Sequence, residues 1–506
     1  MNMIKGLILG SAAGLIAVSG AQAADLPVKA KAVEYVKICS LYGAGFYYIP
    51  GSDTCMKIGG YVRVDTTFNG GIFHQPAWNA NLGQQNRVRD YYAARSRLAL
   101  SVDTRTATAY GVVRSFAQAN FNLNSSTGEG YGTPGAVAGS TIAAGSQSLG
   151  VDLVFIQFAG FTFGKSASAF ATPWQGYPGN NSSHLIGGHD DVTGTNNIQY
   201  TAQFGNGVSG TIGLDDPYYG RTSLLNLGVA NPATAITAGN QAYSGAHAPD
   251  IVGNIRVDQA WGLFQISGAL HEVTPSYNLL TAGAVNPLSE ISGHPDSKWG
   301  GSVMAALQLK NLPTGPGDDI KVDVTYAKGN TRNVIFNSAS FAMFGDTGRA
   351  DSYQSIGFGQ TADGVYLPGG DIKLVEAYGI RGAFNHNWDP YWSSSLFGSY
   401  SAVRYGGSNT DLTTAKGQWC SNYNAGRVVS ADYSCNPDFN VSQLGVVTRW
   451  TPVANLTFSA EVMWFHLDQK FSGAANLGPS APKPATRYEY KDQDAVSLNV
   501  RVQRNF

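Results

Sequence analysis

A chain of 506 residues with 13 % charged side chains and a formal net charge of -1 has no basic excess for nucleic acid to recognise. Gly at 62 residues, Tyr at 26 and Phe at 23 make a turn-rich, all-β composition. Mean hydropathy is -0.13, and no stretch reaches the ~20 apolar residues of a spanning helix, so a mature chain that sits in a membrane is expected to do so as a barrel, with an anchor at the N-terminal apolar run as the lesser alternative.

The chain opens with a basic start, Met1 to Lys5, an apolar run from Gly6 to about Val18, and Ala21-Gln22-Ala23. That order is a secretory signal peptide over residues 1–23, cleaved before Ala24. Residues 24–56 show aromatic clusters such as Phe46-Tyr-Tyr48 but no lasting alternation, and are expected to form a periplasmic lead-in. The four cysteines fall into two local pairs, Cys39 with Cys55 and Cys420 with Cys435. In an exported chain an even count indicates disulfides. Local pairing is the simplest of the three connectivities, each bridge contributing roughly 3 kcal/mol through loop closure. Zinc is the poorer alternative, because no C-x-x-C spacing or nearby His completes a site.

From Lys57 to the end, two-sided strands recur. Asn197, Gln199, Thr201 and Gln203 oppose Ile198, Tyr200, Ala202 and Phe204; Thr457, Ser459 and Glu461 oppose Leu456, Phe458 and Val462. Side chains of a strand alternate between faces, so each segment has one apolar and one polar surface. Short links are expected at Thr104-Arg105, Gly160, Gly205 to Gly207, Ala260-Trp261, Asn311 to Asp318, Asn387 to Pro390 and Pro452 to Asn455. Long polar segments alternate with them, at roughly 69–92, 119–148, 170–195, 216–249, 272–296, 329–371, 405–438 and 468–493. The pattern implies a transmembrane antiparallel β-barrel of about sixteen strands over 57–506. A barrel of that size leaves an aqueous channel. The last strand shows it most plainly, with Val496, Leu498, Val500, Val502 and Phe506 on one face and Ser497, Asn499, Arg501 and Gln503 on the other. Arg504 interrupts the apolar face one step from the end, where it can snorkel to the interface.

Three stretches resemble the alphaproteobacterial outer-membrane porin family. They are Val36 to Cys55 followed by Lys57-Ile-Gly-Gly-Tyr-Val-Arg63, then Phe155 to Lys165, and the ending Val500 to Phe506. The resemblance covers the mature chain. It implies a homotrimer of sixteen-stranded channels in outer-membrane lipid, passing small hydrophilic solutes and ions passively, without a cofactor. It also implies that the aromatic Phe506 marks the last strand for the barrel assembly machinery. In such porins the third external loop folds into the barrel, and its equivalent here is about Phe170–Thr195.

Selectivity needs fixed charge at a constriction. Arg95 and Arg97 share a face with Asp103, Arg63 shares one with Asp65, and Arg114 is the fourth candidate. Loop 170–195 carries His184, His189, Asp190 and Asp191. A transverse field between those arginines and Asp190/Asp191 is one expectation; the alternative is that the arginines brace the loop or neutralise internal carboxylates. The two histidines lack the spacing of a metal site on regular structure, so solvated loop histidines are expected. Asp215/Asp216 and Asp318/Asp319 read as turn-end carboxylates before they read as calcium ligands, and Gly128-x-Gly-x-Gly132 lacks the strand–helix context of a nucleotide loop. Trp299, Trp392, Trp450 and Trp464 read as girdle or trimer-contact aromatics, and the small-residue strands between 93 and 165 are candidates for the trimer seam. A passive porin is the leading reading; a sugar- or oligosaccharide-specific channel, a barrel enzyme and a secreted β-rich binding protein are its rivals. No nucleophile constellation supports the enzyme.

Overall fold

The computed structural model describes residues 37–71, 73, 75–78, 83–87, 89–125, 146–180, 184–228, 236–278, 290–335, 340–480 and 483–506. The signal peptide expected over 1–23, the lead-in up to residue 36 and the Gly128–Gly132 stretch lie outside the described residues.

Sixteen antiparallel strands form a sheet that closes on itself. In chain order they are β1 (Thr54–Phe68), β2 (Tyr92–Thr108), β3 (Gly111–Asn124), β4 (Ser146–Phe158), β5 (Phe161–Ser166), β6 (Thr195–Gly205), β7 (Val208–Asp215) and β8 (Asp250–Gln259). The second half comprises β9 (Gly262–Val273), β10 (Lys298–Lys310), β11 (Asp319–Lys328), β12 (Glu376–Asn387), β13 (Trp392–Arg404), β14 (Phe439–Val453), β15 (Leu456–Gln469) and β16 (Gln493–Asn505). Closure is made by β1 on β16, from Tyr61 opposite Asn505 to Phe68 opposite Leu498. A closed barrel leaves no strand edge unbonded, which lipid requires because it holds no water to satisfy a free N–H or C=O.

Alternation sets the register. On β16, Val496, Leu498, Val500 and Val502 are exposed on the outer face, while Ser497, Asn499 and Arg501 are buried on the inner one. A slip of one residue would turn every one of them over, so the pairing is strongly specified. Arg504 donates to the Ala454 carbonyl at the adjacent short turn. Trp392 and Trp450 stack across β13 and β14, with ring centroids 5.9 Å apart, at the short-turn end; Trp299 and Trp464 stand nearer the long-loop end. All four are exposed on the outer face. Amphipathic rings settle at a lipid–water boundary.

The short connections fall where expected, with one exception. Asn206 and Gly207 adopt φ of 49° and 73°, as a tight primed turn demands. The turn expected at Thr104-Arg105 is displaced to Ala109-Tyr110, because β2 runs on to Thr108. Arg105 is a paired strand residue opposite Arg114, and Asp103 takes a salt bridge from each of them. The first strand likewise starts at Thr54, ahead of the expected Lys57, extended by the short strand Tyr47–Tyr48 pairing with Cys55 and Met56.

Both disulfides join local pairs. Cys39–Cys55 clips the lead-in to β1 beside Phe46, and Cys420–Cys435 ties the helix Ala415–Asn424 to the return of its own loop. At the long-loop end the connections form an outer layer with its own core, including Trp78, Phe341, Phe358, Trp419, Tyr423 and Phe471. That core continues onto the inner faces of the upper strands, where Val403, Phe439, Val441, Phe465 and Leu467 are buried. Uniform polarity of the inner wall was the sequence-based expectation. It fails there, because a wall covered by protein follows the rules of a core, apolar on both faces.

Candidate channel constriction

The segment 167–194 connects β5 to β6. Its apolar side chains have partners on the inner faces of the far strands. Phe170 packs with Val252, Ala269, Met304 and Ala306, while Tyr177 and Leu185 pack with Ala383, Phe397, Val447 and Met463. Each such buried side chain contributes roughly 1.5–3 kcal/mol. The segment's backbone is then held by inward polar residues. Asn254 Nδ2 donates to the Ala169 carbonyl at 2.6 Å and Gln265 Nε2 to that of Ala171 at 2.8 Å. Gln443 Oε1 accepts from the Ile186 N–H at 2.6 Å, Glu461 accepts from the Asn180 N–H, and Arg501 Nη2 donates to the Asn180 carbonyl at 3.0 Å. Much of the polarity that marked these strands in the sequence is therefore committed to anchoring backbone.

Arg381 is the hub of that anchorage. Its Nη1 meets Asp190 at 2.6 Å and its Nε meets Asp323 at 3.1 Å, and all three side chains are at most 1 % exposed. The guanidinium lies 5.0 Å from the Tyr177 ring centre, and the Tyr177 hydroxyl donates to Asp323. Asp190 thus faces Arg381 and none of Arg63, Arg95, Arg97 or Arg114. Burial, only partly offset by Arg381, pushes the Asp190 carboxyl up to about 6. Burial likewise raises Asp191 to about 6 although the Ser168 N–H donates to it at 2.8 Å. The histidines differ from the solvated expectation. His189 is buried against Phe170 and His184 is half-buried near Trp78, and burial lowers each imidazole to about 3.

The opposite wall is basic. Arg95 is buried in a 3.1 Å pair with Asp65, and Arg114 forks onto Asp103. Arg63 donates through Nε to Gln503 at 2.8 Å and Arg97 to Asn122 at 2.6 Å; among the described residues neither has a carboxylate within ion-pair distance. Strand register places Lys57, Arg63, Arg95, Arg97, Arg105 and Arg114 on the inner faces of β1–β3, with Asp65 and Asp103, and Asp152 of β4 bonds to Gln118 and Asn120 there. Among the described residues of the segment the exposed ones, Gln175 and Thr193, are uncharged.

Reasoning from sequence missed Arg381, Asp323, Tyr177, Glu461 and Arg501 as a group. The signal was an ionisable residue on an inward position, but only the register, which sets Asp323 opposite Arg381, brings the partners together. The carboxylates weighed as calcium ligands are occupied locally: Asp215 accepts from Ser168, Asp216 caps at the Tyr218 N–H, and Asp318 accepts from Thr314 and Asn387. No group of His, Cys, Asp or Glu among the described residues has the arrangement of a metal site. Phe506 exchanges two backbone hydrogen bonds with Gly60, at 3.0 and 3.2 Å, and its ring is exposed.

A closed sixteen-stranded barrel with an apolar outer face and aromatics at both of its rims defines a bacterial outer-membrane β-barrel of the channel type. Residues 25–499 match the Porin subfamily, and the chain belongs to that family. It is 39 % identical over 222 residues to porin Omp2a of Brucella ovis, an alignment spanning 42 % of this chain and 59 % of that one. Against porin Omp2b of Brucella suis it is 32 % identical over 296 residues, covering 57 % of this chain and 72 % of that one. Both relatives are porins by name. The outer-membrane channel DcaP of Acinetobacter baumannii shares the fold, with a TM-score of 0.57 at 14 % identity, covering 91 % of this chain and 99 % of that one.

Proposed function

We propose that this porin is a water-filled channel for passive diffusion of small hydrophilic solutes, narrowed by segment 167–194 folded into the lumen, and that it favours anions. The observation that carries the selectivity is the basic wall, in which Arg63 and Arg97 lack a carboxylate partner among the described residues. Fixed charge beside low-dielectric walls concentrates counter-ions and sets the sign of selectivity. The acidic half of a transverse field has little support, because Asp190 and Asp191 are spent on Arg381 and the Ser168 N–H. Assembly as a homotrimer, through a C-terminal strand read by the barrel assembly machinery, belongs to the same proposal. So does the periplasmic placing of the lead-in after removal of residues 1–23. A substrate-specific channel, for a sugar or oligosaccharide, is the second reading. It is favoured by the covered inner wall from β8 to β15, which leaves less of the lumen open than a bare barrel would.

The test is the reversal potential of the reconstituted channel in a KCl gradient. Arg63→Ala with Arg97→Ala should move it toward cations; an unaltered potential contradicts the assignment of selectivity to this wall.

A further inference from the structure

The lead-in does more than connect. Cys55 and Arg105 are register partners on inward positions of β1 and β2, so the Cys39–Cys55 hairpin lies over the inner face at the short-turn end of the barrel. There the Arg105 guanidinium stands 4.9 Å from the Phe46 ring centre and 5.6 Å from that of Tyr42. One strand away, the Arg114 guanidinium stands 5.2 Å from Phe116 and 5.4 Å from Phe155, which stack on each other. Both arginines share a single carboxylate, Asp103. Of the five N–H groups each guanidinium carries, Asp103 takes two from each, and Gln157 takes one more from Arg114. Three on Arg105 and two on Arg114 have no partner among the described residues. Both side chains are more than a quarter exposed, and they border a cavity of about 540 Å³ with Tyr42, Gln157, Thr201 and Gln203.

We propose that this cavity is a binding station for small organic carboxylates at the periplasmic mouth, distinct from the wall of Arg63 and Arg97. The unmatched guanidinium N–H groups suit a planar carboxylate in bidentate contact. The Tyr42 ring, which lines the cavity, favours a ligand whose own body is aromatic. The hairpin supplies Tyr42 as one side of the cavity, so the disulfide that fixes the hairpin also fixes the station. Such a site gives an anion leaving the constriction a second place to rest, as transfer through several weak sites requires. This inference rests on the channel reading above.

The experiment uses the full mature protein in planar bilayers, with benzoate and acetate as probes of the KCl current. Benzoate should reduce the current at lower concentration than acetate does. Arg105→Gln with Arg114→Gln should raise the half-blocking benzoate concentration at least tenfold, and Tyr42→Ala should erase the preference of benzoate over acetate. Cys39→Ser with Cys55→Ser should weaken benzoate block while chloride current persists. Equal block by both probes, or unchanged block in an arginine pair variant that still conducts, overturns the station and leaves the channel standing. Absence of any KCl conductance in the unmodified protein overturns the channel reading instead. If the arginine pair variant fails to insert, the Tyr42→Ala comparison decides.

Discussion

Replacing Arg381 by Met should release segment 167–194 from the strands it packs against. The guanidinium is wholly buried between Asp190 at 2.6 Å and Asp323 at 3.1 Å, and also donates to the Leu185 carbonyl at 3.3 Å. Met restores most of the volume but strands two buried carboxylates. Removing one partner of a buried pair costs about 3–5 kcal/mol. At 1.4 kcal/mol per tenfold, the ratio of seated to released segment should fall roughly 10²- to 10³-fold or more. Single-channel recording should show higher and noisier conductance, and limited proteolysis should cut within 167–194 where the unmodified protein resists. Because the cost arises from uncompensated charge, adding Asp190→Asn and Asp323→Asn to Arg381→Met should recover most of the quiet state. A single variant with conductance and proteolysis identical to the parent would refute Arg381 as the anchor.

The pH response of the segment follows from opposing shifts. Asp190 and Asp191 are raised to about 6 by burial, so the seated form binds more protons between about 4 and 6; His184 and His189 are lowered to about 3, so the released form binds more from about 6.5 down to 3. The terms nearly cancel from about 6 to 4, and the seated state should weaken only below that. Asp191→Asn removes one offsetting carboxyl, so its current noise should rise as pH falls from 6.5 to 4; a flat profile in that variant contradicts the linkage. In the outer layer, Cys420→Ser with Cys435→Ser opens a cross-link spanning 15 residues. The loss should be about 3 kcal/mol of local stability, seen as proteolysis within 405–438 at lower urea while the barrel stays folded; unchanged protection would show that Trp419 and Tyr423 hold the loop alone.

The barrel was legible because lipid imposes one rule on every strand. Val496 to Val502 must face out at every second residue, and that repetition from strand to strand survives error in any single segment. The turn at Ala109-Tyr110 was not legible, since it lacks a Gly, Asn or Pro at its two central positions while Thr104-Arg105 looked loop-like. The inner wall was harder for a deeper reason. Arg97 and Arg381 are both inward arginines on alternating strands, yet one borders the open wall and the other is fully buried beneath the segment. Inward parity states only that a side chain leaves the lipid. What it meets inside depends on where segment 167–194 and the outer layer lie, and long-range packing is not written in local periodicity. For the same reason Asp190 and Asp191 take Arg381 and the Ser168 N–H as partners, where a field toward the arginines of β1–β3 was expected.

The most direct measurement is the current carried by the mature protein in a planar bilayer with unequal KCl on the two sides. Stepwise conductance with a reversal potential displaced toward that of chloride is the predicted result. A correctly folded protein that inserts and carries no current, or a reversal potential on the potassium side, would contradict an open channel governed by the basic wall of Arg63 and Arg97.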